Sequence, residues 1–181
     1  AMADRYGRKP LLIISAVLFT VSAVATGIFD DFTLFNIARF IGGIGIGIAS
    51  ALSPMYIAEI SPANIRGKLV SLNQMTIVLG ILGAQIANWL IADDVPVGYT
   101  ADEILASWNG QMGWRWMFWA EAVPAALFLL LAFFIPESPR WQIMKGMEQK
   151  AIKTLRNIGG EQYAASEIGF IKTSAIADAN K

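Results

Sequence analysis

The sequence predicts an all-α fold, a polytopic membrane helical bundle followed by cytoplasmic helices. Apolar residues make up 55% of the 181 residues and charged residues only 15%, whereas a soluble domain carries about 25% charged residues. The apolar residues also form four long blocks, and a span needs about 20 of them to cross roughly 30 Å of hydrocarbon. A signal peptide would account for one such block at the N-terminus but not for four.

The blocks give the order of the elements. We expect a cytoplasmic loop over 1–9, transmembrane helices at about 10–29, 33–57, 67–91 and 114–135, and cytoplasmic helices over 136–181. After the last block, apolar residues recur at helical spacing beside lysines. Gly159-Gly160 is expected to end a first helix there, before a second helix over roughly 162–177.

Individual features support each span in turn. Asp30 and Asp31 end the first span and leave a very short turn, so the first two spans are expected to form an antiparallel hairpin. The second span is rich in small residues, and Gly43 and Gly47 have the spacing that lets helix backbones approach closely in lipid. The third span repeats this pattern. The fourth begins with the tryptophans that are typical of a membrane interface, namely Trp114, Trp116 and Trp119.

Charge is distributed unevenly between the two ends of the spans. The connections after the first and third spans contain acidic residues and no Lys or Arg. The opposite ends carry Arg5, Arg8, Lys9, Arg66, Lys68, Arg140, Lys145, Lys150, Lys153 and Arg156. Because an excess of Lys and Arg marks the cytoplasmic side of a membrane protein, both termini of the chain are predicted to be cytoplasmic.

The composition excludes several classes of protein. The chain has no Cys and no His, which excludes a disulfide, a thiolate or imidazole metal site and a His-dependent catalytic triad. A glycine run over 43–47 superficially looks like a phosphate loop, but it follows no strand and lies within an apolar span. No catalytic residue, metal site, cofactor or nucleic-acid partner is therefore expected, and the chain is predicted not to be an enzyme.

Several motifs occur in an order that resembles a known family. The opening Asp4-Arg5-Tyr6-Gly7-Arg8-Lys9 resembles the loop between the second and third helices of major facilitator superfamily transporters. Later motifs are similar to those of the sugar porters in that superfamily. They are Arg39 with Gly43, Gly45 and Gly47, then Pro54 to Glu59, Arg66-Gly67, Asn73-Gln74 with Gly80, Gly113 to Phe118, and Pro136 to Trp141.

The resemblance covers about residues 1–160 and implies four of the twelve helices of a major facilitator fold. These would be helices three to six in the N-terminal bundle, with 136–181 as the start of an incomplete intracellular helical domain. The chain is then expected to be a fragment whose partners are the remaining helices of the same protein, the lipid bilayer, a sugar and protons. The acidic outer connection resembles that of bacterial xylose or hexose proton symporters, and facilitative glucose transporters are a related family.

Two charged residues are predicted to lie within the membrane, Arg39 and Glu121. Charge at that depth is costly, so a partner or a function is expected. Counting residues from the outer start of each span puts both roughly 9 to 10 Å below the outer surface. A structural ion pair and a proton-coupling pair are both consistent with this depth. For the second, the resemblance implies a further acidic residue beside Arg39, on a helix outside this chain.

Gln74 is the candidate sugar contact. Its amide lies inside an apolar span, and an amide donates and accepts hydrogen bonds as sugar hydroxyls require. The resemblance implies a sugar-contacting glutamine at this position, with Ile77 and Ile81 one and two turns further along the same face. A hydrogen bond between helices is the other interpretation.

Charged motif residues at one end of the spans form a candidate cytoplasmic gate. Any one of them would ordinarily be a solvated surface residue, but together they resemble the ion-pair cluster that closes the inner face of such transporters and breaks when it opens. The residues assigned to this gate are Asp4, Arg5, Gly7, Arg8, Glu59, Arg66, Glu137 and Arg140.

These observations predict a multi-pass plasma-membrane carrier that moves a sugar, such as xylose or glucose, by alternating access with proton symport. A facilitative sugar uniporter and a non-sugar carrier of the same superfamily are the alternatives. A carrier of organic anions would need a more positive cavity than Arg39 alone provides. A membrane-embedded enzyme would need a nucleophile and a base within the spans, and a structural subunit would not need Gln74, Arg39 and a charged rim together.

Overall fold

The computed structural model describes residues 2–179, with side chains described up to residue 174. All regular structure in this range is helical, which confirms the all-α prediction. The helices are α1 (Met2–Tyr6), α2 (Arg8–Ile28), α3 (Phe32–Ile60), α4 (Arg66–Ile91), α5 (Ala101–Ala106), α6 (Trp114–Ala120), α7 (Ala122–Phe134), α8 (Pro139–Met144) and α9 (Glu148–Ala179), with a π-helical turn at Asn109–Gly113 before α6.

Four helical runs are long and apolar enough to cross a membrane: α2, α3, α4 and Asn109–Phe134. The last run begins five residues before the predicted span at 114, because the π-helical turn precedes α6. It is also interrupted at Glu121, between α6 and α7. Pro124 explains the interruption, since it has no N–H to donate to the carbonyl group of Ala120 four residues earlier.

The chain forms two compact units. Unit 1 comprises Ala1–Ile13, Ile48–Asn73 and Phe133–Lys181, and unit 2 comprises Ile14–Gly47 and Gln74–Ala132. In unit 1 the most deeply buried side chains include Leu155 and the polar Ser138. In unit 2 the buried side chains are small, and several of them are polar residues of α2. The buried side chains of unit 2 are Ser15, Ala16, Ser22, Ala23, Thr26, Ala38 and Ala132.

Within unit 2, α3 approaches α2 through Gly42 and Gly45. A Cβ atom on Gly45 would lie 3.2 Å from the backbone oxygen of Ser15, and one on Gly42 would collide with the Ser22 side chain. The space beside Gly43 and Gly47 contains no described atom within 4 Å of such a Cβ. The predicted close approach of α3 therefore occurs, but through the other pair of glycines, because that pair lies on the face of α3 towards α2.

The C-terminal end of α2 is held by two side chains of α6, also in unit 2. Arg115 donates to the carbonyl oxygens of Gly27 (2.9 Å) and Ile28 (3.2 Å) and forms an ion pair with Asp30. The Trp119 indole N–H donates to the carbonyl oxygen of Val24 at 3.2 Å. The last carbonyl groups of a helix have no partner within the helix and carry partial negative charge, so a guanidinium group at this position stabilises the end of α2.

The connection between α4 and the π-helical turn is ordered by local hydrogen bonds. Thr100 and Glu103 form a capping box at the start of α5. Hydrogen bonds from the backbone N–H and the hydroxyl group of Thr100 lower the pKa of the Glu103 carboxyl group. The Asn109 amide donates to the backbone oxygen of Asp93 (2.7 Å) and accepts from its N–H (2.9 Å). The start and end of the connection are thereby joined.

The C-terminal helix α9 is broken at Gly160, where the sequence predicts that its first part ends. Gly160 has φ 84° and ψ −176°, a conformation that is essentially confined to glycine. The chain then returns along itself, because Lys172 in the second part pairs with Glu148 in the first part at 2.6 Å. Unit 1 thus ends in a helical hairpin.

Candidate functional site

Arg8 is the centre of a charged cluster in unit 1, which we define as Arg8, Glu59, Glu137 and Ser138. The Arg8 side chain is only 3% exposed. Its Nη2 atom lies 2.8 Å from Glu59 Oε1 and 3.1 Å from Asp4 Oδ1, and Nη1 donates to the carbonyl oxygen of Ala3 at 2.9 Å. A guanidinium group buried to this extent needs such partners, because an unpaired buried charge is strongly destabilising.

Glu137 caps the N-terminal end of α2. Its carboxylate accepts hydrogen bonds from the backbone N–H groups of Arg8 (2.9 Å) and Lys9 (3.2 Å), and from the N–H of Ser138 (2.8 Å). The first N–H groups of a helix have no partner within the helix and carry partial positive charge. The carboxylate therefore ties the segment after α7 to the start of α2.

Gly7 permits this approach. Its φ of 98° lies in the left-handed region, which residues with a Cβ atom rarely adopt. A Cβ atom on this residue would also collide with the Glu137 carboxylate. A glycine is therefore required at position 7 for two reasons: the backbone conformation and the space that the Glu137 carboxylate occupies.

Polar groups that the sequence analysis did not select complete the cluster and its surroundings. The Ser138 hydroxyl donates to Glu59 Oε2 at 2.6 Å, the Tyr56 hydroxyl donates to the carbonyl oxygen of Pro136 at 2.8 Å, and the Trp141 indole donates to that of Asp4 at 3.0 Å. All three donors belong to family motifs from which only other residues, mostly charged ones, were assigned to the gate. A hydroxyl or indole group next to a motif carboxylate was the signal that could have identified them.

Three further predicted gate residues, Arg5, Arg66 and Arg140, also lie in unit 1. The Arg5 guanidinium lies 5.4 Å from the ring centroid of Tyr6. Arg66 is exposed and donates to the carbonyl oxygen of Ser61 at 3.4 Å. Burial raises the pKa of the Tyr163 hydroxyl, and the positive charge of Arg66 partly offsets this increase. Arg140 lies in the first turn of α8, half-buried.

The second charged site, in unit 2, is the pair of Arg39 and Glu121. Arg39 Nη1 lies 3.2 Å from Glu121 Oε2, and the two side chains are 43% and 50% exposed. Glu121 stands at the interruption between α6 and α7, and it lines two cavities of about 270 and 490 Å³. The larger cavity is also lined by Asn88, an amide that the sequence analysis did not select.

The predicted sugar-contacting residues lie on α4, of which no residue is buried. Gln74, Ile77 and Ile81 are exposed and share one helix face by their spacing. That face continues towards Ala84 and Asn88, which line the larger cavity. The Gln74 face therefore continues to the cavity that Glu121 also lines. Among the described residues, no group of acidic side chains has the arrangement of a metal site.

Comparison with known proteins gives one consistent result. The family model for the sugar (and other) transporter family matches residues 1–180. The glucose transport protein of Synechocystis sp. is 45% identical over 162 residues, covering 88% of this chain and 33% of that protein. The D-xylose-proton symporter of Escherichia coli is 44% identical over 190 aligned residues, covering 95% of this chain and 37% of that protein.

A solved structure is similar as well. The structure of the major facilitator superfamily proton:xylose symporter XylE bound to 6-bromo-6-deoxy-D-glucose matches with a TM-score of 0.85 and 40% identity, covering 97% of this chain and 39% of that chain. The chain therefore spans about a third of the length of the relatives that it matches.

The burial of Arg8 and Glu59 predicts strong energetic coupling between them. Arg8→Met or Glu59→Gln alone should lower the free energy of unfolding by about 3 kcal/mol, because each leaves a buried group unpaired. The double variant should lose less than the sum of the two, with a coupling energy of about 1 to 3 kcal/mol. Unfolding of the purified protein in detergent, followed by fluorescence of the six tryptophans, measures these values.

The pair of Arg156 and Glu161 is a matched control. Its atoms lie 2.8 Å apart, but its side chains are 52% and 73% exposed, so the same cycle should give a coupling energy below about 1 kcal/mol. Additive effects of Arg8→Met and Glu59→Gln, within about 0.5 kcal/mol, would contradict a central role for the pair.

Proposed function

We propose a function from the premise that this chain belongs to the sugar transporter family of the major facilitator superfamily. The chain forms helices three to six of a plasma-membrane carrier that moves a monosaccharide together with a proton by alternating access. The observation that carries this proposal is the match of nearly the whole chain to a proton:xylose symporter at 40% identity. Family membership also favours a transporter over an enzyme.

The position of Gln74 on α4 supports a role in sugar binding, because its helix face continues to the cavity that Glu121 lines. An exposed amide within an apolar span can donate to and accept from neighbouring hydroxyl groups of a sugar. Ile77 and Ile81 offer apolar contacts for the C–H face of the ring. D-Xylose and D-glucose are the substrates to test first, because the names of two relatives refer to xylose and glucose.

The pair of Arg39 and Glu121 supports a role in proton coupling. A carboxylate in contact with a guanidinium group favours its ionised state, and loss of that contact favours protonation. If sugar binding changes the contact, proton and sugar affinities become linked. Because both side chains are about half-exposed in this chain, the pair is open to water and to a further acidic group from another helix.

The charged cluster around Arg8 supports a cytoplasmic gate. The cluster lies where the positive-inside rule assigns the cytoplasm, so both ends of the chain are expected on that side. In this proposal the cluster, with Asp4 and Gly7, holds the inner ends of the helices together in the outward-open carrier. Arg5, Arg66 and Arg140 belong to the same proposed gate, whose contacts break when the carrier opens.

Substitution of Gln74 tests the sugar site. We expect saturable uptake of D-xylose or D-glucose by proteoliposomes of the complete transporter, and a KM raised at least about tenfold in Gln74→Ala, because hydrogen bonds to sugar hydroxyls are lost. Gln85 is a control of the same residue type, about 16 Å further along the same helix face, and Gln85→Ala should keep KM within about twofold. No saturable sugar uptake by the folded wild type would favour a non-sugar carrier.

Substitution of Glu121 tests proton coupling. Glu121→Gln keeps the size of the side chain but removes its charge and its titration. We expect uptake driven by a pH gradient to be lost, while sugar exchange without a gradient continues, since exchange needs no net proton movement. If gradient-driven uptake in Glu121→Gln equals that of the wild type, the ion pair with Arg39 is structural. If the wild type itself ignores the gradient, the carrier is a uniporter.

A further inference from the structure

Arg39 has a second neighbour besides Glu121. Its guanidinium carbon lies 5.2 Å from the centroid of the Phe118 ring, within the roughly 6 Å over which a cation is attracted to an aromatic face. Phe118 and Glu121 are three residues apart on the same span. One helical turn therefore presents both an anion and an aromatic ring to the same cation.

The Phe118 ring is itself held by aromatic neighbours. Its centroid lies 5.4 Å from that of Phe35 and 6.3 Å from that of Trp114, and both pairs are edge-to-face. Phe35 and Trp114 pack against each other in the same way at 6.3 Å. Edge-to-face pairs favour one relative orientation of the rings, so this cluster fixes the ring of Phe118 in its place beside Arg39.

We propose that Phe118 is a positioning residue for Arg39, which keeps the guanidinium group next to Glu121 while the Glu121 carboxylate takes up a proton from water and returns it. This inference rests on the proposed function, in which Arg39 and Glu121 take part in coupling. The ion pair holds Arg39 only while Glu121 is ionised. The ring attracts the guanidinium group in both states, because its quadrupole does not change with protonation.

Among the described residues, the Phe118 ring is a neighbour of Arg39 whose contact does not depend on the charge of Glu121. Among the described residues, α3 provides Arg39 as the charged neighbour of Glu121. The residues of α2 and α4 that line its two cavities do not titrate, and the polar one among them is Asn88. Protonation of Glu121 therefore removes the ion pair of Arg39, and the contact with Phe118 remains.

Loss of the ring should therefore slow the carrier rather than weaken sugar binding. Without it, Arg39 loses one of the contacts that hold its position while Glu121 is protonated, and a displaced Arg39 delays release of the proton. In proteoliposomes of the complete transporter, Phe118→Leu should lower the maximal rate of D-xylose uptake driven by a pH gradient about three- to tenfold. The KM for D-xylose should stay within about twofold, and sugar exchange without a gradient should keep its rate.

A series of ring substitutions separates the cation–π contact from simple packing. Mono- and trifluorinated phenylalanine at position 118 withdraw electron density from the ring face with little change in volume, so the gradient-driven rate should fall step by step. Phe118→Trp should keep at least the wild-type rate, because indole binds cations best. Phe128 is the matched control, since it lies on the same run of helix and packs edge-to-face with Phe19 at 6.4 Å, and the fluorinated series there should show no trend.

The outcomes distinguish this inference from the function on which it rests. A stepwise decline at position 118 with unchanged exchange establishes the positioning role. Equal rates across the fluorinated series, or equal loss of exchange and gradient-driven uptake in Phe118→Leu, would overturn it in favour of a purely structural ring. A folded wild type without gradient-driven sugar uptake would overturn the proposed proton coupling and this inference together.

Discussion

The carboxylate of Glu137 at the N-terminal end of α2 is the contact on which the rest of unit 1 depends. Helix ends and charges near a membrane must find their partners within the protein. Glu137 satisfies the first N–H groups of α2 and so brings the chain after α7 to Arg8. Arg8 then lies buried, and Glu59 of α3 completes the compensation of its charge. At the other end of α2, Arg115 satisfies the last carbonyl groups.

The two charged sites differ in the physical condition that suits them to their proposed roles. The pair of Arg8 and Glu59 is nearly inaccessible, and breaking it is costly unless the partners separate together into water. Such a pair suits a gate that has two states, one with the pair formed and one with both partners in water. The pair of Arg39 and Glu121 is half-exposed in this chain. A proton or a carboxylate from another helix can therefore reach the pair, which suits coupling.

The sequence predicts the spans well because each needs only length and apolar composition. Residue counting also predicts a shared depth for Arg39 and Glu121, whose side chains lie 3.2 Å apart in the structure. Rotation about the helix axis is harder to predict. Glycines at 42, 43, 45 and 47 surround α3 on several sides, so the pattern does not identify Gly42 and Gly45 as the pair that meets α2. The contact of Phe118 with Arg39 was missed for a related reason, because the motif that contains Phe118 does not show which way its ring faces.

The central claim is that the charged cluster closes the cytoplasmic side and opens during transport. The chain has no cysteine, and Ser138 is fully buried with its hydroxyl on Glu59, so a cysteine at this position reports on the cluster. In the complete transporter, otherwise free of cysteine, Ser138→Cys should react slowly with a membrane-impermeant maleimide supplied from the cytoplasmic side. At one fixed pH, addition of D-xylose, and separately Glu59→Gln, should accelerate the reaction. Fast labelling without sugar, or labelling that ignores both changes, would contradict the account.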